Sequence, residues 1–289
     1  GGLIGYSSSD TISQVRVATN ISGLQNVGGL VGQQNITQVG ICSDQACGIL
    51  KEFSVSGQVS GESQVGGVVG AIQGDISYFG GSQPIRDESG KVKLGVALLD
   101  GFSTASVLGR QTSIGSAVGY LGNAVIENVF TTGNVQVPTP ALGDDNNPVY
   151  TPDSIGGLVG YAQGRITNSY ATGNIEFNAQ SESSRIGLLV GVMEKLADDS
   201  ELIAGDYVNN SFGFGTWNAR GTSDATVRAI GNLADYQPEL MAVPSGFLAT
   251  VKRPENWCLD STLSVKVSGN RSEEHTSELQ SRQYLVCRL

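Results

Sequence analysis

Few residues of the types that drive catalysis occur in this chain, and their spacing narrows them further. The 289 residues hold four Cys and one His. Cys42 and Cys47 bracket Ser-Asp-Gln-Ala. Three readings fit that pair: a local disulfide stapling a loop in an oxidising compartment, two separate buried thiols, or a metal or redox site. The spacing is not Cys-x-x-Cys, and no second pair exists to complete a zinc site. Cys258, beside Trp257, is left over. Asp144-Asp145-Asn146-Asn147 offers oxygen ligands for Ca²⁺ but lacks the spacing and closing Glu of an EF-hand loop. A solvated acidic turn is the plain alternative there, as it is for Asp198-Asp199-Ser200-Glu201. Ca²⁺ is therefore the one cofactor the residue types admit, and none is required.

Nucleophilic catalysis finds little to work with. The single His is His275, so a multi-His zinc site and a pair of acting imidazoles are excluded. His-Glu-x-x-His and Gly-x-Ser-x-Gly do not occur. A carbohydrate-active enzyme working with paired carboxylates needs only Asp or Glu on one face, but Asp100 and Glu127 do not recur as a cluster. The expectation is a chain without catalytic residues. A formal charge of −10 argues against an electrostatic nucleic-acid binder. No apolar run reaches the roughly 18 residues of a membrane helix.

The last nineteen residues break the pattern. Arg271–Leu289 reads RSEEHTSELQSRQYLVCRL. Over Arg271–Ser281 it matches, residue for residue, the translation of a common short-read sequencing adapter, and Leu285–Leu289 matches where that adapter resumes. The tail reads as a non-native segment to be set aside, with no order expected. Setting it aside removes three Arg and three Glu, so the net charge stays at −10. It also removes His275 and Cys287. The opening Gly1-Gly2-Leu3-Ile4-Gly5 falls inside a repeated motif and reads as the interior of a longer chain.

That motif organises the rest. An aliphatic residue, Gly, a small residue, two aliphatics and Gly recur at Val27–Gly32, Val65–Gly70, Ile114–Gly119 and Ile155–Gly160, with a looser copy at Ile186–Gly191. Its fixed glycines are Gly28, Gly29, Gly32, Gly66, Gly67, Gly70, Gly115, Gly119, Gly156, Gly157, Gly160, Gly187 and Gly191. Glycine is about 14% of the chain, twice the usual share. The repeated glycines suit sharp corners and close backbone approach. A second motif follows each first one. Ile166–Ile175 is the best copy, with others at Ile126–Val135, Leu98–Val107 and Val208–Trp217. Ile12–Ile21 puts Arg16 in the aromatic slot, and Leu50–Val59 fits only if Phe53 sits one place early, the signature of a bulge. Insertions near Thr37–Gly48, Ser77–Lys93, Val137–Asp153 and Met193–Gly205 behave as loops off a repeated scaffold.

Frequent β-branched and aromatic residues with scarce helix caps predict strands. Ile166, Asn168, Tyr170 and Thr172 alternate with period two, which predicts one shared face. Copies stacked on copies would bury one continuous core. The expected fold is all-β, a parallel β-helix (β-solenoid) of about six repeats with loop insertions. Asn128, Asn168 and Asn210 fall in one slot and predict a stacked amide ladder within the scaffold, with ligand binding as the alternative.

These residues resemble the GLUG motif, named for its Gly-Leu-any-Gly core, over about Gly1–Leu233. The resemblance implies a bacterial exported protein. Such repeats occur in adhesin-like surface proteins and in non-catalytic regions of immunoglobulin A1-cleaving metallopeptidases. It supplies no active site. The expected organisation is a repeat array over residues 1–235, a flank over 236–270 that caps it or leads onward, and the non-native tail over 271–289. In the flank, Leu263, Val265 and Val267 alternate and suggest one more strand. The expected role is a structural or interaction region, extracellular or at the cell surface, with a surface protein or glycan as partner, no nucleic acid and no membrane insertion. A carbohydrate-active β-helix enzyme and a scaffold segment of a secreted metallopeptidase are the alternatives.

Overall fold

The computed structural model describes residues 1–8, 11–36, 48–74, 86, 88, 90–144, 146–177, 185–196, 199, 201–213, 217–219 and 228–233. Among the described residues the chain is all-β apart from one helical turn. The first units give β1 (Ile4–Ser8), β2 (Ile12–Ser22), β3 (Gln25–Gly28), β4 (Val31–Ile36), β5 (Leu50–Gly61), β6 (Ser63–Gly66) and β7 (Val69–Gly74). Next come β8 (Gly95–Ser103), β9 (Ser106–Gly109), β10 (Thr112–Gly115), β11 (Val118–Thr131) and β12 (Val135–Val137). The later units give β13 (Asp153–Gly156), β14 (Val159–Thr167), β15 (Tyr170–Ala171), β16 (Ile175–Phe177), β17 (Ile186–Gly187) and β18 (Val190–Met193). The turn α1 (Ala204–Tyr207) precedes β19 (Val208–Asn209), β20 (Phe212–Gly213) and β21 (Trp217–Ala219).

All pairings between these strands are parallel, and the repeat sets their register. The five-stranded sheet runs β17-β13-β10-β6-β3 and aligns Val27, Val65, Ile114, Ile155 and Ile186. In the larger sheet Ile4, Val31, Val69, Val118, Val159 and Val190 form one row. Ile12, Leu50, Leu98, Ile126, Ile166 and Val208 form another. Between the sheets, Leu30 donates to the Val68 carbonyl, Val68 to Ala117, Ala117 to Leu158 and Leu158 to Leu189, at 2.9–3.0 Å. Each residue type at a motif position thus meets its own copy in the next unit, the parallel analogue of cross-strand pairing. One core cluster takes aliphatic residues from every unit, among them Val27, Leu30, Val65, Ile114, Leu158, Ile166 and Ile175.

Two local expectations are corrected. The register between β2 and β5 is unbroken from Ile12↔Leu50 to Ser22↔Ser60, so no bulge accommodates Phe53. Ser54 takes the aromatic slot opposite Phe102, while Phe53 is fully buried over Gly101, whose missing side chain leaves room for the ring. The shared face of Ile166, Asn168, Tyr170 and Thr172 also fails. Asn168 has φ 48°, which ends β14 at Thr167 and resets the alternation. Ile166 and Ala171 join the core cluster, and Tyr170 lies outside it.

Candidate functional site

A column of left-handed residues lies at the third place of the second motif. Gln14, Glu52, Asp100, Asn128, Asn168 and Asn210 all have φ between 45° and 57°. A second column, Asn26, Gln64, Ser113 and Ser154, sits just before the first motif with φ between 50° and 58°. Left-handed backbone costs most L residues about 1–2 kcal/mol, and Asn and Asp tolerate it because their short polar side chains bond locally. The chain therefore turns on these polar residues. None of the motif glycines has positive φ. Their role is close approach: a Cβ on Gly160 would sit 2.3 Å from the Ile114 nitrogen, in the neighbouring unit. Glycine at every unit gave the sequence signal for corners. The better signal was the polar residue recurring two places after each aliphatic that opens the second motif.

Asn128, Asn168 and Asn210 share one column, and their hydrogen bonds fall into two pairs. Asn210 Nδ2 donates to Asn168 Oδ1 at 2.8 Å, and Asn128 Nδ2 donates to Asp100 Oδ1 at 2.9 Å. Asn128 Oδ1 is buried with no hydrogen-bond partner among the described residues. Beside this column, Phe102, Phe130 and Tyr170 stack with centroids 5.1 and 5.4 Å apart. Tyr120 and Tyr161 form a second stack at 5.2 Å.

Charged groups gather in two places that the sequence did not predict. Asp153, at the start of β13, accepts the Arg185 backbone N–H at 2.8 Å and the guanidinium through Nε at 3.1 Å and through Nη2. Burial works to raise the Asp153 carboxyl, but the bonds from Arg185 outweigh it and hold it below its ordinary value. Burial pushes the Tyr161 hydroxyl up, and a hydrogen bond with Glu194 pushes it further. Tyr161 thus remains protonated at neutral pH, a donor rather than a nucleophile. In the second place, Tyr207 donates to Asp199 and accepts the Leu196 N–H at 2.8 Å. Burial and then Asp199 push its hydroxyl up to about 12. Lys91 pairs with Asp206 at 2.5 Å, and Arg165 Nη1 donates to the Val92 carbonyl at 2.6 Å. These contacts tie the second and fourth insertions to each other and to β14.

A shallow depression of about 250 Å³ opens beside Leu24, with Glu62 and Arg110 on its wall. Glu62 is engaged there, accepting from Gln111 Nε2 at 3.1 Å. Asp144 and Asn146 lie between Gly143 and Asn147, where the Gly143 N–H donates to the Asn147 carbonyl at 2.8 Å. Among the described residues no group of three His, Cys, Asp or Glu is placed to hold a metal ion. Cys42, Cys47, Asp145, Asp198, Ser200, Cys258, His275, the flank strand at Leu263–Val267 and the tail lie outside the described residues.

The comparison with known families bears on the stretch from just before β13 into β16. A family model described as the GLUG motif matches residues 152–176. The chain carries a GLUG motif. That GLUG segment holds Gly156, Gly157 and Gly160, the left-handed Ser154 and Asn168, and Tyr170 of the aromatic stack. The neighbouring units align Gly115 and Gly187 with Gly156, and Asn128 and Asn210 repeat the left-handed turn of Asn168, while Ser116 and Leu188 stand where this segment has Gly157. No curated protein and no solved structure matches the chain.

Proposed function

We propose that this chain is a non-catalytic structural or interaction region, a parallel β-helix of about six GLUG-type units from a bacterial exported, adhesin-like surface protein. The observation that carries this reading is the in-register stacking of equivalent motif positions across successive units. An array of that kind gives length and stiffness, because each unit buries its apolar row only against its neighbours. It also accepts insertions without disturbing the rows. The four insertions fall between β4 and β5, β7 and β8, β12 and β13, and β18 and β19, and on this reading they supply the contact sites for a surface protein or glycan. The stacked tyrosines beside Glu194 and Arg185 add an aromatic and charged surface of the chemistry glycans favour.

The test is a glycan array and a cleavage assay run on the same purified chain. Saturable binding without product release is the expected outcome. Product release that survives purification and depends on a single carboxylate overturns the non-catalytic reading. We also read Arg271–Leu289 as adapter-derived rather than native. Direct amplification and sequencing across this junction is expected to show a different continuation after Asn270, and an intact match overturns that reading.

A further inference from the structure

Two rows of side chains run from unit to unit on the face of the larger sheet opposite its core. Ile72, Leu121 and Ala162 belong to the core cluster, so the residues on either side of each in β7, β11 and β14 turn to that opposite face. In the first row Ala71, Tyr120 and Tyr161 are in register. In the second, Gln73, Gly122 and Gln163 are in register, and Glu194 adjoins Gln163 one place past the Ala162↔Met193 pair. Gln73 and Glu194 are exposed, and Tyr120, Tyr161 and Gln163 are half-buried. The two tyrosine rings lie within 12° of parallel at 5.2 Å. Tyr120 leans over Gly122, where a Cβ would meet its ring at 2.8 Å. Each ring fixes the other, so both hydroxyls are held in place.

These rows carry amides and phenols with Glu194 as their one charge, in a chain of net −10. An amide or a hydroxyl group supplies both donor and acceptor, as a sugar hydroxyl does. A phosphate or a uronate calls for cations, and the rows hold none. Arg185, the cation near Tyr161, is already paired with Asp153. We infer that this face binds a neutral β-1,4-linked pyranose chain laid across the strands, its hydroxyls on Tyr120, Tyr161, Gln73 and Gln163. The spacing selects the linkage. Neighbouring strands lie about 4.8 Å apart, close to the length of one sugar in an extended β-1,4 chain, so successive units meet successive sugars. An α-1,4 chain coils and loses that match. The rigid tyrosine pair lowers the ordering cost of binding. This inference rests on the proposed reading of the chain as a glycan-contacting surface, and it moves the contact from the insertions to the scaffold.

The test is titration calorimetry on the full 289-residue chain. The probes are the β-1,4-linked hexaoses of glucose, mannose, xylose and N-acetylglucosamine. Saturable binding of at least one is expected, with maltohexaose and hexagalacturonate inert. Tyr161→Phe keeps the ring stack and removes a hydroxyl, and Gln73→Ala removes an exposed amide. Each is expected to weaken binding about three- to tenfold, the worth of one hydrogen bond. Gln136→Ala, on β12 outside both rows, is expected to leave it unchanged. Circular dichroism of each variant reports that the fold is retained. Binding of none of the four hexaoses overturns the inference, even where another glycan binds, as does equal binding of maltohexaose or hexagalacturonate. Binding that neither Tyr161→Phe nor Gln73→Ala weakens overturns this site and leaves the glycan-contact reading standing. Release of shorter sugars overturns the non-catalytic reading alone, with the loss of affinity in Tyr161→Phe still supporting the site.

Discussion

Gly156→Ala separates the two jobs a repeated glycine can do. A Cβ at that position would lie 1.8 Å from the Val159 carbonyl oxygen and 2.8 Å from the Gly191 nitrogen. Both obstacles are backbone, so no side chain can swing aside. Gly156 is also held in register between Gly115 and Gly187, and relieving the contact shifts the ladder on both sides. Overpacking of this kind costs about 1–3 kcal/mol. The loss of unfolded-state freedom on Gly→Ala works the other way by about 0.4–1 kcal/mol. The net expectation is a destabilisation of about 1–2 kcal/mol. A glycine kept merely as a turn former would give the opposite sign, because φ at Gly156 is not left-handed and alanine accepts it. Gly205→Ala is the matched control. Nothing lies within 4 Å of its added Cβ, it sits inside α1, and alanine there is expected to stabilise by up to about 1 kcal/mol. Urea unfolding followed by circular dichroism reads both as shifts in midpoint at constant slope. Gly156→Ala as stable as the parent chain would refute the close-approach account.

Asn168→Val is expected to cost about 1–2 kcal/mol, because a β-branched side chain must enter the left-handed region, while Asn168→Gly stays within a few tenths of the parent in the same urea assay. Tyr207→Phe leaves the Leu196 N–H and the Asp199 carboxylate without their shared partner and is expected to cost about 1–3 kcal/mol in thermal unfolding. The Asp153 carboxyl is held below its unfolded value of about 3.9. Its contribution is therefore complete above that pH and lost as pH falls through the lower folded value. The pair is partly exposed, so the contribution is only about 0.2–1 kcal/mol. Thermal melts at neutral and strongly acidic pH are expected to show a smaller acid-induced loss for Asp153→Asn than for the parent chain.

The spacing of Val27, Val65, Ile114, Ile155 and Ile186 made the rows of the smaller sheet legible in the sequence, because an aliphatic beside invariant glycines has one place to go in a parallel stack. The insertions were legible for the same reason, as interruptions between copies. What stayed hidden was conformational. Period two assumes extended backbone throughout, and one left-handed residue such as Asn168 moves Tyr170 to a different environment from Ile166. Phe53 looked like a slipped copy of Phe102, but it fills the space that Gly101 vacates. The amide column was visible, and its division into Asn210–Asn168 and Asn128–Asp100 was not, since it depends on rotamers. Arg185 lies 32 residues from Asp153, and Lys91 lies 115 residues from Asp206. No local pattern joins positions that only the stacking brings together.

Disulfide trapping between adjacent units tests that stacking most directly. Gln136 and Glu176 are paired in register on β12 and β16, with Gln136 Nε2 donating to Glu176 Oε2 at 2.9 Å. In a chain whose native cysteines are replaced by serine, cysteines at these two positions fall within the roughly 4.4–6.8 Å Cα separation that a disulfide spans. Cysteines at Gln136 and Asn174 are two residues out of register, beyond about 7 Å. Rapid oxidation of the first pair to an internally cross-linked monomer, with the second pair remaining open, is the predicted result. Equal closure of both pairs, or failure of the in-register pair to close, would contradict it.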